Sequence, residues 1–363
     1  MNLVNPVKKI EAEAIVRSCI GPKGIWASPA RYRHQCWTRD FAIATLRTLG
    51  DMGRVDVAKR HLEELASRQL PDGRIPILFL DDVPRFLFGK AKNSMRDFRL
   101  SFMLKQYFRP HGIARLTPWT KDSEILYILS VLELMNRTRD YSIVETHNDY
   151  VGQALVYIET SLVKENGLVH GGDWRDTRLD LDDKFLLTNN CFLYRMYEFL
   201  NLPHKASAVQ EAIKRNLWTG SYFRDYVGVE NFDTLGNALA ILYGLATEDN
   251  AAFIFKKAES LDTLYGYMLN DVTLPPKSAA EELIMNRTKQ VRVIWPFIHG
   301  FMILAAVKSG FRDLAREQFA KYNAMPGFFE WYDPDTGLGY GSSDQLWSAC
   351  LYLRCAHAIE QIS

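Results

Sequence analysis

Cysteine is scarce in this chain: five residues in 363, Cys19, Cys36, Cys191, Cys350 and Cys355, lie far apart with no CxxC and no metal-ligand spacing. An odd, scattered set excludes a disulfide framework and predicts buried, reduced thiols, as in a cytoplasm. An excess of one charge is also missing. Lys and Arg number 44 against 43 Asp and Glu, a net +1, which offers no basic face to nucleic acid and no attraction to acidic lipid. The most apolar stretch, IWPFIHGFMILAAV at 294–307, is too short to cross a bilayer and carries His299. The opening MNLVNPVKKIEAEAIV has charges where a signal peptide needs its apolar run. A soluble, cytoplasmic protein without nucleic-acid or membrane partners is the expectation.

Ready-made chemistry motifs are lacking as well. The chain has no Walker-type phosphate loop, no G-x-S-x-G and no HExxH. His34, His170 and His299 have no ligand spacing, and LDLDDK at 179–184 reads as a solvated helix start rather than a calcium loop. Neither a metal nor a cofactor is expected.

What the chain does have is helical periodicity, while alternating strand patterns are few. Hydrophobic residues at 47% are enough for a substantial core. Helices are predicted over about 6–20, 38–52, 55–69, 121–136, 143–162, 183–202, 203–217, 234–246, 249–260, 292–309, 311–325 and 343–361. Short turns such as LGDMGR (49–54), LATEDN (245–250) and KSGFRD (308–313) make antiparallel neighbours of the helices they join. Long segments rich in Trp, Asp, Gly and Tyr separate one such pair from the next. Stacked hairpins of this kind close into an all-α (α/α)6 toroid of about twelve helices, with the last helix against the first and the long segments gathered at one end. One domain over 1–363 is expected, with the basic, aromatic segment 82–117 as an insertion over that end, a lid or an ordinary packed excursion.

Two helices open alike, with WTRD at 37–40 and WTKD at 119–122. Capping explains part of this: Thr38 and Thr120 suit N-caps, and Asp40 and Asp122 then fall in the first turn, where negative charge complements the helix dipole. It leaves Trp37 and Trp119 unexplained. Rings beside carboxylates and amides recur in the other long segments, HGGDWRDTRLDLDDK, VENFDTLGN, RTKQVRVIWP and FFEWYDPDTGLGYGSSDQLW. A sugar presents apolar C–H faces and hydroxyl edges, which flat rings and polar side chains match. The candidate sugar contacts are therefore Trp37, Arg39, Asp40, Trp119, Asp122, Trp174, Asn237, Trp295, Trp331 and Gln345.

Glycosidic bonds are usually cleaved between two carboxyl groups. In FFEWYDPDTG, Asp333 and Asp335 belong to a turn signal, whereas Glu330 stands among three aromatic residues and is the base candidate. In GGDWRDT either Asp173 or Asp176 can serve, or either can simply hold a tight turn. Pairing with Arg175 or Arg178 would lower a carboxyl pKa, and a general acid needs it raised.

Taken in order, WTRD, TPWTKDS, GGDWRD, DTLGNALAILYGLA, IWPFIHGFMILAAVKSG and FEWYDPDTGLGYGSSDQLWSA resemble the (α/α)6-barrel glycosidases over about residues 30–360. Neutral/alkaline invertases and the amylo-α-1,6-glucosidase domain of glycogen debranching enzymes are the most similar, with trehalases and mannosylglycerate hydrolases further off. The resemblance implies an inverting hydrolase of an α-linked glucoside or oligosaccharide. It puts the general acid on Asp176, the general base on Glu330, and sugar-holding carboxylates on Asp40 and Asp122. The chain departs from these relatives in Arg175 before Asp176, TRLDLDD after it, and the 82–117 segment. A sugar epimerase or isomerase, or a non-catalytic carbohydrate-binding protein, are the rivals on the same barrel.

Overall fold

The computed structural model describes residues 3–82, 84–85, 106–108, 114–116, 119–176, 178–272 and 291–362. Helix α1 (Pro6–Ser18) starts where Asn5 accepts from the amides of Val7 and Lys8 at 3.0 and 3.3 Å, with proline supplying a preset first turn. Strand β1 (Gln35–Trp37) leads into a π-helical turn, Asp40–Thr45, which continues as α2 (Leu46–Asp51). There follow α3 (Val55–Ala66), β2 (Leu78–Leu80), β3 (Gln106–Phe108), β4 (Ala114–Leu116), α4 (Ser123–Thr138), α5 (Ser142–Tyr157), α6 (Leu187–Phe199), α7 (Pro203–Leu217), α8 (Thr234–Leu242) and α9 (Glu248–Ala258). The chain ends with the hairpin β5 (Asp262–Thr263) and β6 (Gly266–Tyr267), helices α10 (Pro296–Lys308) and α11 (Arg312–Ala324), the hairpin β7 (Trp331–Tyr332) and β8 (Gly339–Tyr340), and α12 (Leu346–Ile362).

The helices form two layers. The turn at Asp40–Thr45 with α2, then α4, α6, α8, α10 and α12, touch one another in that order, and α12 returns to the first. This closed inner ring is the (α/α)6 toroid that the periodicity predicts. Its members read as buried on every side: α10 is covered from Pro296 through Ile303 because it faces two ring neighbours, an outer helix and the barrel axis. Outer helices are amphipathic, as in α3, which buries Val57, Ala58, Leu62 and Leu65 and shows its charges to water. Helix α1 packs on α12, so the first and last predicted helices do pair. One connected apolar core runs from Val4 to Ile359.

Each inner helix is preceded by a long segment, and all but α12, the last element described, are followed by a short turn. All six inner N-termini therefore open at one end of the barrel, and their positive dipole ends favour acidic side chains there. At that end β1, β2, β4 and β3 make a four-stranded antiparallel sheet, with Trp37 opposite Leu78. The sheet draws β3 and β4 of the 82–117 segment close to Trp37; most of that segment, and its expected role as a lid, lies outside the described residues. The five cysteines are buried and free. No helix among the described residues is long and apolar enough to cross a membrane.

Candidate active site

The paired helix starts turn out to be crossed. Arg39 of WTRD forks onto Asp122 of WTKD, with Nε to Oδ2 at 2.5 Å and Nη2 to Oδ1 at 2.9 Å, both residues buried. Burial holds the Asp122 carboxyl above its ordinary range even against this cation. The expected threonine caps do not form. The Thr38 hydroxyl donates instead to the carbonyl of Pro76 at 2.6 Å, and Thr120 sits in a bridge with Gly172. Thr38 already lies inside the helical run that follows β1, and Thr120 is held in its bridge two residues before Asp122, so neither side chain caps a helix start.

Asp40 opens the π-helical turn and is buried, its Oδ1 accepting from Nε2 of Gln345 at 3.2 Å. Such turns carry one residue more than an α-turn and re-aim the side chains around them. Glu330 lies opposite, immediately before β7. The Tyr32 hydroxyl donates to both of its oxygens, at 3.0 and 3.1 Å, and the amide of Ser342 to Oε2 at 3.2 Å. Gly341 makes this fit possible: its φ is +80°, and a Cβ there would stand 2.3 Å from Glu330 Oε2. As the turn signal predicts, Asp333 Oδ1 accepts from the amides of Asp335 and Thr336 at 3.1 and 2.8 Å, shaping the β7–β8 hairpin.

Asp173 and Asp176 have separate fates. Asp173 is fully buried and takes Nε and Nη2 of Arg175 at 2.9 and 2.8 Å, while the other side of the same guanidinium holds Asp225 at 2.8 and 2.9 Å. Asp233 completes this buried group; burial, with Asp225 and Asp173 adding to it, raises its carboxyl to about 7 against the pull of Arg175. Removing the one cation would leave three carboxyls facing each other in a dry interior. Arg175→Met should therefore cost about 3–5 kcal/mol, measured by urea unfolding; a loss under about 1 kcal/mol would mean that the pairs are replaceable. Asp176 is only half-buried, and its backbone carbonyl accepts from Trp119 Nε1 at 2.9 Å. Of the two, Asp176 is the carboxyl that a ligand can reach.

Asp176 and Glu330 both act on the same two neighbours. Burial first and Glu330 next, with Asp176 adding, raise Asp40 to about 8 from an ordinary 3.8. Burial and the same two carboxyls drive the Tyr32 hydroxyl well above its usual value, so it stays a donor. In the folded chain Asp40 keeps its proton to about pH 8, against 3.8 for the free group, so the unfolded chain binds fewer protons throughout that interval. Stability attributable to Asp40 is thus greatest below about pH 4 and falls as the pH climbs to about 8. Asp40→Asn should melt a few degrees above the parent at pH 9 and level with it at pH 4; a difference that does not grow with pH would show the carboxyl ionised throughout.

The wall beside these groups is aromatic. Trp174 meets Trp295 edge-on at 5.1 Å and Phe297 at 5.2 Å, and Trp347 stacks on Phe297 at 4.2 Å. The indole N–H groups of Trp174 and Trp347, Gln345 Oε1 and Ser342 Oγ are buried and have no hydrogen-bond partner among the described residues. Polar atoms left bare beside carboxylates are what a hydroxylated ligand satisfies. Trp37 meets Tyr32 edge-on at 6.3 Å, and Trp331 stacks on Tyr340 at 4.6 Å.

Asn237 stands apart from the other candidates. Its Nδ2 donates to the carbonyls of Phe223 and Asp233 at 2.7 and 2.9 Å, and its Oδ1 accepts from the Phe223 amide at 2.9 Å. All of its amide is engaged by backbone, and it ties the segment before α8 to that helix. Tyr32, Ser342 and Trp347 join the group without having been expected. Trp347 could have been found, because it follows Gln345 by two residues in DQLW and repeats the ring-beside-amide pattern; nothing local marks Tyr32 or Ser342.

Two of the three histidines noted in the sequence are engaged in structural contacts. His299 accepts from the Tyr267 amide at 3.2 Å and donates Nε2–H to the Gln318 carbonyl at 3.0 Å, and burial lowers its pKa to about 4. His34 Nδ1 lies 2.9 Å from Asp81.

No protein-family model matches the chain, and no curated protein matches it in sequence. Solved structures do share its fold. A GH63 mannosylglycerate hydrolase from Thermus thermophilus, in complex with Tris, superposes with a TM-score of 0.69 at 16% identity over 95% of this chain and 98% of its own. A rhamnosidase from Klebsiella oxytoca with rhamnose bound gives 0.65 at 14% identity over 98% of this chain and 64% of its own. A wild-type glycosidase gives 0.67 at 13% identity over 98% and 96%. The mannosylglycerate hydrolase, which the motifs place among the more distant resemblances, thus shares the barrel over nearly its whole length.

Proposed function

We propose that this chain is an inverting glycoside hydrolase acting on an α-linked glucoside or oligosaccharide, with Asp176 as general acid and Glu330 as general base. One observation carries the reading: two carboxyls from different long segments, Glu330 oriented by Tyr32 and Ser342 and Asp176 partly exposed, both act on the buried, proton-holding Asp40. The bare indole and amide groups beside them suit sugar hydroxyls, and the solved structures with this fold include glycosidases.

In this mechanism Asp176 gives its proton to the leaving oxygen, while Glu330 takes one from the water that attacks the anomeric carbon on the opposite face. A single displacement inverts the anomeric configuration and needs the carboxyls about 6.5–9.5 Å apart to admit that water. Protonated Asp40, Gln345 and the Trp174 and Trp347 indoles would hold the hydroxyls of the ring undergoing cleavage. Arg39 and Asp122 neutralise each other and brace two helix starts, so their part is to position Asp40.

The substrate class is narrower still by proposal: an amylo-1,6-glucosidase-like linkage, with sucrose or a glycosylglycerate as the competing candidates, the last because the Thermus enzyme is named for one. Proton NMR of the first sugar released from isomaltose-type and maltose-type oligosaccharides, sucrose, trehalose and glycosylglycerates tests all of this together. The β-anomer is expected from an α-glucoside. Release of the α-anomer would overturn inversion, and sugar binding without turnover of any of these would return the protein to the non-catalytic reading.

A further inference from the structure

The barrel has a second opening, at the end opposite the carboxyls, where the inner helices finish. A cavity of about 460 Å³ enters there between α2, α4, α6, α8, α10 and α12 and reaches inward to Ala42 and Ile43. Cations surround it, and most have an ordinary explanation. Arg47 is paired with Glu133, Arg137 with Asp51 at 2.5 Å, and Arg195 with Glu198 at 2.9 Å. Lys308 donates to the carbonyl of Leu242, the last residue of α8, at 2.7 Å.

Arg354 has no such explanation. It lies more than two turns before the end of α12 at Ile362, out of the last turn where a cation complements the helix dipole. It pairs with no carboxylate among the described residues. Its hydrogen bond is a long one, 3.4 Å to the Ile43 carbonyl, and its guanidinium rests 5.3 Å from the centre of the Phe301 ring. Burial, with Arg47 adding and Glu133 opposing, lowers its pKa to about 10. Arg354 is partly exposed and lines the cavity, so its guanidinium meets that space with no carboxylate in ion-pair contact among the described residues.

We propose that this cavity binds a small organic anion, a carboxylate or phosphate monoester on an apolar body, with its charge on Arg354 and its body against Leu126, Phe192 and Phe301. Leu129, Phe199, Leu304 and Val307 also line the cavity, which suits an apolar body of that kind.

Phenyl phosphate is the probe, with phenol as the uncharged control, titrated calorimetrically into the full chain. One equivalent should bind at least about 10-fold more tightly than phenol, since a charge-assisted contact is worth that much. Arg354→Met should weaken it by about 10-fold or more, and Ala358→Trp, which fills the cavity from its wall, should abolish it with turnover unchanged. Glu330→Gln should bind the probe like the parent. The proposal is overturned if the parent chain shows no saturable binding at millimolar probe, if Ala358→Trp binds undiminished, or if Glu330→Gln loses the binding. Circular dichroism checks the fold of each variant, and Ala358→Trp decides the matter should Arg354→Met not fold.

Discussion

Glu330→Gln should lower kcat by about 10²- to 10⁴-fold while sugar binding and melting temperature stay near those of the parent. The change keeps the shape of the side chain and one oxygen, so the Tyr32 hydroxyl and the Ser342 amide retain an acceptor. It removes the one property a general base needs, an oxygen that can take a proton from water. Because the effect falls on a step that only the transition state uses, kcat and kcat/KM should fall together. Calorimetric binding of the product sugar separates lost chemistry from a lost site. A variant with full kcat would take Glu330 out of the mechanism and leave Tyr32 holding a merely structural carboxylate.

Asp176→Asn should lose about 10²- to 10⁴-fold on an oligosaccharide and far less on a 4-nitrophenyl glycoside. A sugar alkoxide is a poor leaving group and must be protonated as the bond breaks, whereas nitrophenolate departs unaided. The backbone carbonyl of Asp176, which holds the Trp119 indole at 2.9 Å, is untouched, so the wall of the site should stand. The alkaline limb of the pH profile should also disappear, because that limb reports loss of the acid's proton. Equal losses on both substrates would mean that Asp176 positions the sugar; a loss of activity in Asp173→Asn alone, with Asp176→Asn active, would move the acid to Asp173.

Buried Asp40 and Asp233 show what this arrangement does to stability. Each carboxyl holds its proton to near or above neutral pH, at about 8 and about 7. A protein selected for stability alone would have amides there, and sites that keep such groups commonly exchange stability for function.

Much of this could be read in one dimension. Helix after helix follows from spacing of apolar residues, and the alternation of short turns with long segments orders them into hairpins. Glu330 stood out because three aromatic neighbours are rare in an exposed loop, and Asp333 because DPDTG has the chemistry of a turn. Other readings failed where a polar group had two possible partners. Thr38 has every local mark of a cap, yet it lies within the helical run and its hydroxyl donates to the Pro76 carbonyl of the chain running past it. Asn237 opens an inner helix like the sugar-facing candidates, yet Phe223 claims its amide from 14 residues away.

An all-α ring of hairpins, and the segments that meet at its mouth, are legible in the chain alone, because periodicity and turn length are local properties that survive without knowledge of what lies across the barrel. Which carboxyl keeps a proton, which is neutralised by an arginine and which stays partly exposed follows from contacts between distant segments. Arg39 finds Asp122 from 83 residues away, Tyr32 finds Glu330 from 298, and Gln345 finds Asp40 from 305. Those pairings exist because closing the ring brings six helix starts to one place, and the charge state of a buried acid depends on its neighbours in space.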